Sequence, residues 1–218
     1  MKINVIKSVL DASDTLARAN RRRMDEAGLL CVNVLSAPGS GKTTLLQKSL
    51  PLLGGGARSA VLVGDLQTTR DAERLADAAA QVTQINTGRG CHLSPEQVAE
   101  GLDGLDLTRI DYLFIENVGN MVCPAAFDLG EHRRAVLLSV PEGDDKVAKY
   151  PVLFQKADVI LLTKVDLVGV LEYRFDRVRE DLSKVNTAAP VIRVSSRTGE
   201  GLDDWLAWLA EQRQAVRG

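Results

Sequence analysis

The chain has 218 residues, 45% of them hydrophobic and 26% charged, with 27 basic against 29 acidic side chains and a net charge of −2. That balance fits a water-soluble globular protein and gives no electrostatic basis for a nucleic-acid partner, and aromatic residues, at 4%, are too few for a base-stacking platform. No apolar run approaches the ~18–20 residues of a membrane span, and acidic residues enter the first 14 positions before a signal-peptide core can form, so a cytoplasmic protein with no membrane partner is expected.

Residues 3–27 place Ile3, Ile6, Val9, Leu10, Ser13, Leu16 and Ala17 at near-helical spacing, which predicts a leading amphipathic helix within residues 1–30 that belongs to the same domain as the rest. The run Arg21, Arg22, Arg23 lies beside Asp25 and Glu26 and reads as a solvated helix face. After Gly28 the pattern becomes short apolar runs ending in Gly, Asp or Ser: LLCVNVLSAPG, SAVLVGD, QVTQIN, DYLFIEN, RAVLLSV, DVILLTK and PVIRVSS. Helical stretches alternate with these seven predicted strands, near residues 42–52, 70–80, 94–103, 146–157, 171–184 and 202–213. Continuous Val/Ile/Leu runs between helices predict an α/β domain over 31–218, a mostly parallel sheet with helices on both faces. Its ligands would bind beyond the carboxyl ends of the strands.

The first strand runs into SAPGSGKTTLL, residues 36–46. Against G-x-x-x-x-G-K-[ST], Gly41, Lys42 and Thr43 match and Ser36 replaces the first glycine. Gly39, Ser40 and Gly41 let backbone N–H groups turn toward phosphate oxygens, the following helix adds its positive end, Lys42 meets the terminal phosphates and Thr43 offers its hydroxyl to Mg²⁺. Asp65 and Glu116 each end a strand and would stand at the same sheet edge, holding Mg²⁺ or the attacking water. Gly119, three residues beyond Glu116, forms a D-x-x-G-like element whose backbone could sense a γ-phosphate.

Residues 163–166, Thr-Lys-Val-Asp, follow another strand and resemble the N-K-x-D guanine signature with Thr163 at its first position. The Asp166 carboxylate can accept two hydrogen bonds from the N1–H and N2–H₂ edge of guanine, which adenine cannot supply, and such a site rejects the wrong base strongly. Ser195, Ser196 and Arg197 then follow the last strand, like the loop that backs a guanine ring. Together these motifs indicate a GTPase.

Three cysteines, Cys31, Cys91 and Cys123, make no disulfide framework. Cys91 adjoins His92, one of only two histidines; thiolate and imidazole bind late transition metals, yet two consecutive ligands cannot close a coordination shell. Cys31, inside a strand, is expected to be simply buried, and His132 to face solvent or to back the metal ligands.

The segments SAPGSGKTTLL, TGRGCHL, IENVGNMVCPAAFDLGE, SVPEGDDKVAKYP and LLTKVDLV together resemble the HypB family of hydrogenase maturation GTPases that assist nickel insertion. The resemblance covers roughly residues 30–218 and implies a P-loop GTPase of the dimerising class shared with signal-recognition and urease-accessory GTPases, a class that tolerates Thr at the position of Thr163. It implies phosphate contacts at Gly39, Gly41, Lys42, Thr43 and Thr44, Mg²⁺ or catalytic water at Asp65 and Glu116, base recognition at Lys164 and Asp166, and a nickel or zinc site at Cys91, His92 and Cys123. In a parallel sheet, the loops bearing Cys91 and Cys123 would emerge on one edge, so the thiolate missing from the Cys91–His92 pair is supplied by the fold. Three ligands still leave the shell incomplete, which suits a metal to be handed on.

The implied function is a GTP-hydrolysing metallochaperone for a [NiFe]-hydrogenase, with GTP and GDP, Mg²⁺ and Ni²⁺ or Zn²⁺ as ligands. Its implied partners are a second copy of the chain in a GTP-promoted homodimer, a nickel-binding accessory protein and a hydrogenase large-subunit precursor. The alternative is a GTP- and metal-binding regulatory switch that works through partner binding without metal delivery; a small-molecule kinase would not need the Lys164 and Asp166 signature. Slow turnover is expected, because no motif supplies an arginine finger. The first 30 residues lack the cysteine motif or histidine-rich tract of some relatives, so a nickel-storage role is not expected.

Overall fold

The computed structural model describes residues 9–65, 68–88 and 90–217. Seven strands form one sheet: β1 (Leu30–Leu35), β2 (Ser59–Asp65), β3 (Gln81–Asn86), β4 (Tyr112–Glu116), β5 (Arg133–Ser139), β6 (Val159–Thr163) and β7 (Val191–Val194). Helices α1 (Val9–Glu26), α2 (Lys42–Ser49), α3 (Arg70–Leu75), α4 (Pro95–Asp103), α5 (Lys146–Lys149), α6 (Pro151–Gln155), α7 (Phe175–Val185) and α8 (Leu202–Arg217) cover it. Every pairing is parallel, in the order β3-β2-β4-β1-β5-β6-β7. All seven strands coincide with the apolar runs of the sequence. The central strands are buried on both faces, whereas β3 and β7, at the sheet edges, retain polar or exposed positions, as edge position allows.

Alternation along the strands divides the core. Leu30, Val32 and Val34 of β1 pack on one face with Leu45 and Leu46 of α2 and Trp205 and Leu209 of α8. Cys31 points to the opposite face with Met24 of α1 and Val98 and Leu102 of α4. The chain leaves β1 for β2 and β3 on one side and fills the other side from β5 onward. The carboxyl end of β1 therefore faces loops from both halves, the place where open α/β sheets bind ligands.

Some boundaries differ from the sequence pattern for local reasons. The stretch 146–157 is two short helices, α5 and α6, because Tyr150 precedes Pro151 and leaves the helical region at φ −127° and ψ 51°. The helix expected over 42–52 gives way after Ser49 to a 3₁₀ turn, Leu50–Leu52, that contains Pro51. Of the leading helix, Ile3 and Ile6 lie outside the described residues, as do the side chains of Val9 and Leu10. Among the described residues no helix is long and apolar enough to cross a membrane.

Two sequence expectations need correction. The arginine run is not a purely solvated face: Arg22 is exposed, but Arg21 donates to the Gly130 carbonyl at 2.7 Å, and Arg23 reaches the Ala99 carbonyl at 3.3 Å and Asp103 at 2.7 Å. These contacts, with buried Asn20 donating to the Pro95 and Leu129 carbonyls, bind α1 to α4 and to the loop before β5. His132 does not face solvent. It is buried, accepts the Cys31 N–H at 2.9 Å through Nδ1 and meets Asp25 Oδ1 at 2.8 Å through Nε2. Burial lowers its pKa against the opposing pull of Asp25, and neither partner is a metal-ligand candidate.

Candidate functional site

β1 ends at Leu35 and the next six residues turn into α2. Gly39 (φ 74°) and Gly41 (φ 100°) occupy the left-handed region that L side chains resist, and Gly41 directly precedes the first residue of α2. The loop borders a cleft of ≈ 400 Å³ shared with Lys42, Thr43, Asp65, Glu116 and Gly119. Lys42 is buried, and its Nζ donates to Ser36 Oγ at 3.0 Å, so the serine at the first glycine position of the motif gives the ammonium a resting partner. Burial lowers the Lys42 pKa, opposed first by Glu116.

Thr43 Oγ1 donates to Glu116 Oε1 at 2.6 Å, while Glu116 Oε2 is buried with no hydrogen-bond partner. A carboxylate oxygen of this kind beside a hydroxyl suits a hard cation that takes oxygen ligands. Asp65 stands at the end of β2, its Oδ2 accepting from Thr68 Oγ1 at 2.8 Å. Thr43, Asp65 and Glu116 are thus brought to one cleft, and they are the residues that would hold Mg²⁺. Gly119 packs on the phosphate loop so closely that a Cβ would fall 2.8 Å from Pro38 Cα.

Burial raises the Glu116 pKa from 4.5 to about 7, offset in part by the Thr43 hydrogen bond and by Lys42. The folded, nucleotide-free protein therefore holds this proton more tightly than the unfolded chain. This contribution is intact below pH 4.5 and is lost as pH rises toward about 7. Between pH 5 and pH 8, urea unfolding should show wild type losing up to about 3 kcal/mol more stability than Glu116→Gln. Equal losses in the two proteins would assign the titration elsewhere.

On the other side of the loop, Thr163 Oγ1 donates to the Ser40 carbonyl at 2.7 Å. The threonine in place of asparagine thereby still fastens the end of β6 to the phosphate loop. Lys164, with φ 59° the one non-glycine residue of positive φ among those described, donates Nζ to the Gly39 carbonyl at 2.6 Å. Asp166 is oriented by Ser195 Oγ at 2.6 Å, with Arg197 at 3.7 Å from its other oxygen. Ser196 is half-buried and Arg197 exposed.

Two residues beside the phosphate loop belong to none of the nucleotide-binding motifs. Glu142 Oε2 accepts from Ser40 Oγ at 3.0 Å and from the Ser139 N–H and hydroxyl, both at 2.7 Å. Arg74 lines the cleft, donating to Thr44 Oγ1 at 2.8 Å and pairing with Asp71 at 3.3 Å. An arginine is therefore present beside the phosphate loop although no motif announces it. The PEGDDK context of Glu142 was a usable signal; for Arg74, four residues past the uninformative TTR, there was none.

Cys91 and His92 lie between β3 and α4, and Cys123 begins the short turn after β4. Their ligand atoms all lie within 4.8 Å of one another, and all three residues are half-buried. Cys91 Sγ is 3.5 Å from His92 Nδ1, and the imidazole stacks on Phe127 at 4.1 Å and 16°. A hydrogen bond with Cys123, then burial, raises the Cys91 pKa, while burial lowers that of His92. The Cys91 thiol keeps its proton until a cation displaces it, and the imidazole remains available as a neutral ligand. Cys31 is fully buried in β1, as expected.

Residues 30–193 match the family described as CobW/HypB/UreG, nucleotide-binding domain. The hydrogenase maturation factor HypB of Azotobacter chroococcum mcd 1 is 45% identical over 98% of this chain and 70% of its own length. The crystal structure of HypB from Helicobacter pylori in complex with nickel aligns with a TM-score of 0.89 at 40% identity, covering 94% of this chain and 96% of that one. The signal recognition particle 54 kDa protein of Aeropyrum pernix K1 in complex with GDP shares the fold, with a TM-score of 0.59 at 15% identity over 94% of this chain and 55% of its own.

Proposed function

The chain belongs to the HypB branch of the CobW/HypB/UreG nucleotide-binding family, and on that premise we propose that it is a GTP-hydrolysing metallochaperone that delivers nickel during maturation of a [NiFe]-hydrogenase. The observation that carries this reading is the segment leaving β4: the strand ends with Glu116 in the nucleotide cleft, and the chain reaches Cys123, in the Cys91–His92–Cys123 cluster, seven residues later.

In this reading the backbone of Gly39–Thr43 and the Lys42 ammonium hold the phosphates, Lys164 and Asp166 hold guanine, and Asp65 and Glu116 orient the attacking water. Mg²⁺, when bound by Thr43, Asp65 and Glu116, offsets charge on the phosphates. Gly119 senses the γ-phosphate through its backbone, and its displacement on hydrolysis shifts Cys123 four residues on. Nickel affinity then differs about 5- to 150-fold between nucleotide states, the usual range of coupled sites. Nickel is cargo: two thiolates and one imidazole leave coordination positions for a ligand from the donor or acceptor protein. The donor is a nickel-binding accessory protein, the acceptor a hydrogenase large-subunit precursor, and GTP pairs two copies of the chain.

The test is Ni²⁺ titration of Cys123→Ala. Loss of a thiolate ligand is expected to weaken binding by more than about 100-fold, beyond the effect of altering an outer partner of a metal ligand. GDP affinity should stay within about twofold, because Cys123 is no part of the nucleotide cleft. Wild-type nickel affinity in this variant would sink the assignment.

A further inference from the structure

Asn117 directly follows β4. It is 2% exposed, lines the nucleotide cleft, and its backbone N–H continues the strand by donating to the Val34 carbonyl at 3.2 Å. Its side-chain oxygen has two backbone partners from different parts of the site, the Leu93 N–H at 3.2 Å and the Val118 N–H at 2.9 Å. Leu93 is the residue after His92, and Val118 is the residue before Gly119. One buried oxygen thus joins the loop carrying two metal ligands to the segment that abuts the phosphate loop at Pro38.

Its surroundings leave the joint little freedom. Asn117 Nδ2 donates to Asn33 Oδ1 at 3.4 Å, and Asn33 Nδ2 donates to Glu131 Oε1 at 3.2 Å, so the amide is tethered to β1 from behind. Leu93 is fully buried, and a Cβ on Gly64 would fall 2.8 Å from its Cγ. The metal loop is held a second time where the Thr87 N–H donates to the Asp65 carbonyl at 2.9 Å. A shift of Val118 therefore cannot be absorbed by slack: the Asn117 oxygen follows one partner and strains its bond to the other, because a buried donor left without an acceptor is disfavoured.

We propose that Asn117 is the positioning residue that transmits nucleotide state to the metal ligands, through Leu93 to His92 and Cys91. It acts beside the direct covalent route from Gly119 to Cys123 and rests on the coupled reading above. The two routes differ in what they move: the chain itself carries Cys123, whereas the Asn117 oxygen carries the Cys91–His92 pair. The direct route alone moves Cys123 relative to the pair, and the Asn117 route adds the movement of Cys91 and His92.

The experiment is Ni²⁺ titration of the full chain loaded with GDP or with a non-hydrolysable GTP analogue, in wild type and in Asn117→Ala. Wild type is expected to show a ratio of nickel affinities between the two states of about 5 to 150, and Asn117→Ala a ratio at least about threefold smaller, what remains being carried by the direct route from Gly119 to Cys123, while still binding both nucleotides. A general loss of stability would lower affinities without changing their ratio. If wild type shows the ratio and Asn117→Ala keeps it, the assignment to Asn117 is overturned and the coupled metallochaperone stands. If wild type shows no ratio, the coupled reading fails and this inference with it. Should Asn117→Ala not fold, amide hydrogen exchange at Leu93 in wild type decides: protection that differs between the GDP and GTP-analogue states supports the joint, and identical protection overturns it.

Discussion

Asp166→Asn is expected to lower GTP affinity by about 10²- to 10⁴-fold, corresponding to two hydrogen bonds to a charged acceptor at about 1.5–3 kcal/mol each. The carboxylate is well placed for that effect. Its side chain is only 14% exposed, and Ser195 Oγ at 2.6 Å fixes its orientation. Ser195 donates equally well to an amide oxygen, so the substituted side chain keeps this contact and turns its NH₂ toward the base. Donor then faces donor at the guanine edge. Xanthine presents a carbonyl where guanine carries its amino group, so xanthosine triphosphate should gain what GTP loses. Competition between the two nucleotides for a fluorescent GDP analogue measures the exchange, and GTP affinity unchanged from wild type would remove Asp166 from base recognition.

Lys42→Ala is expected to lower the GTP hydrolysis rate by at least about 10²- to 10³-fold, the usual effect of deleting one preorganised group that faces developing negative charge. Among the described residues the cleft contains two other cations, yet neither is free to substitute: Lys164 Nζ is bonded to the Gly39 carbonyl, and the Arg74 guanidinium to Thr44, Gln47 and Asp71. Lys42→Arg should not restore the rate, because a bulkier planar fork does not fit the place of a compact ammonium held at 3.0 Å from Ser36. Single-turnover hydrolysis separates loss of chemistry from loss of binding. A wild-type rate in the alanine variant would mean that another group faces the γ-phosphate.

What the sequence made legible was periodic or contiguous. Seven apolar runs gave seven strands, and the phosphate loop, the Thr-Lys-Val-Asp segment and the Ser195 loop each follow one of them closely enough that a parallel sheet must bring them to one edge. Parallel strands also bring the loops of Cys91 and Cys123 to one edge, and the resemblance to the HypB family implies that these two and His92 form one metal site. Illegible residues owe their surroundings to long-range packing. His132 carries no periodic signal, and its partners Cys31 and Asp25 are 101 and 107 positions away. Arg21 and Arg23 look solvated in a charged run, yet the carbonyls they meet become neighbours only once α1 lies against α4 and the loop before β5. Asn117 sits inside a recognisable segment, but its contact to Leu93 spans 24 positions and follows no motif spacing.

The strand order also separates two clocks. Adjacent strands stand roughly 4.8 Å apart; β6, which leads to Asp166, is three strands from β4 and five from β3, or about 14 and 24 Å. The phosphate loop on β1 lies between. On the proposed function, guanine is the same group before and after hydrolysis, so the β6 and β7 side would grip the product as it gripped the substrate, and how long the spent nucleotide stays would be set there. Only the phosphate end would register that a bond has broken, and the loops of Cys91, His92 and Cys123 lie on that side. On the proposed function, residence of the nucleotide and release of the cargo would be governed by opposite halves of one sheet, and a substitution such as Asp166→Asn would shorten the first without altering what the second perceives.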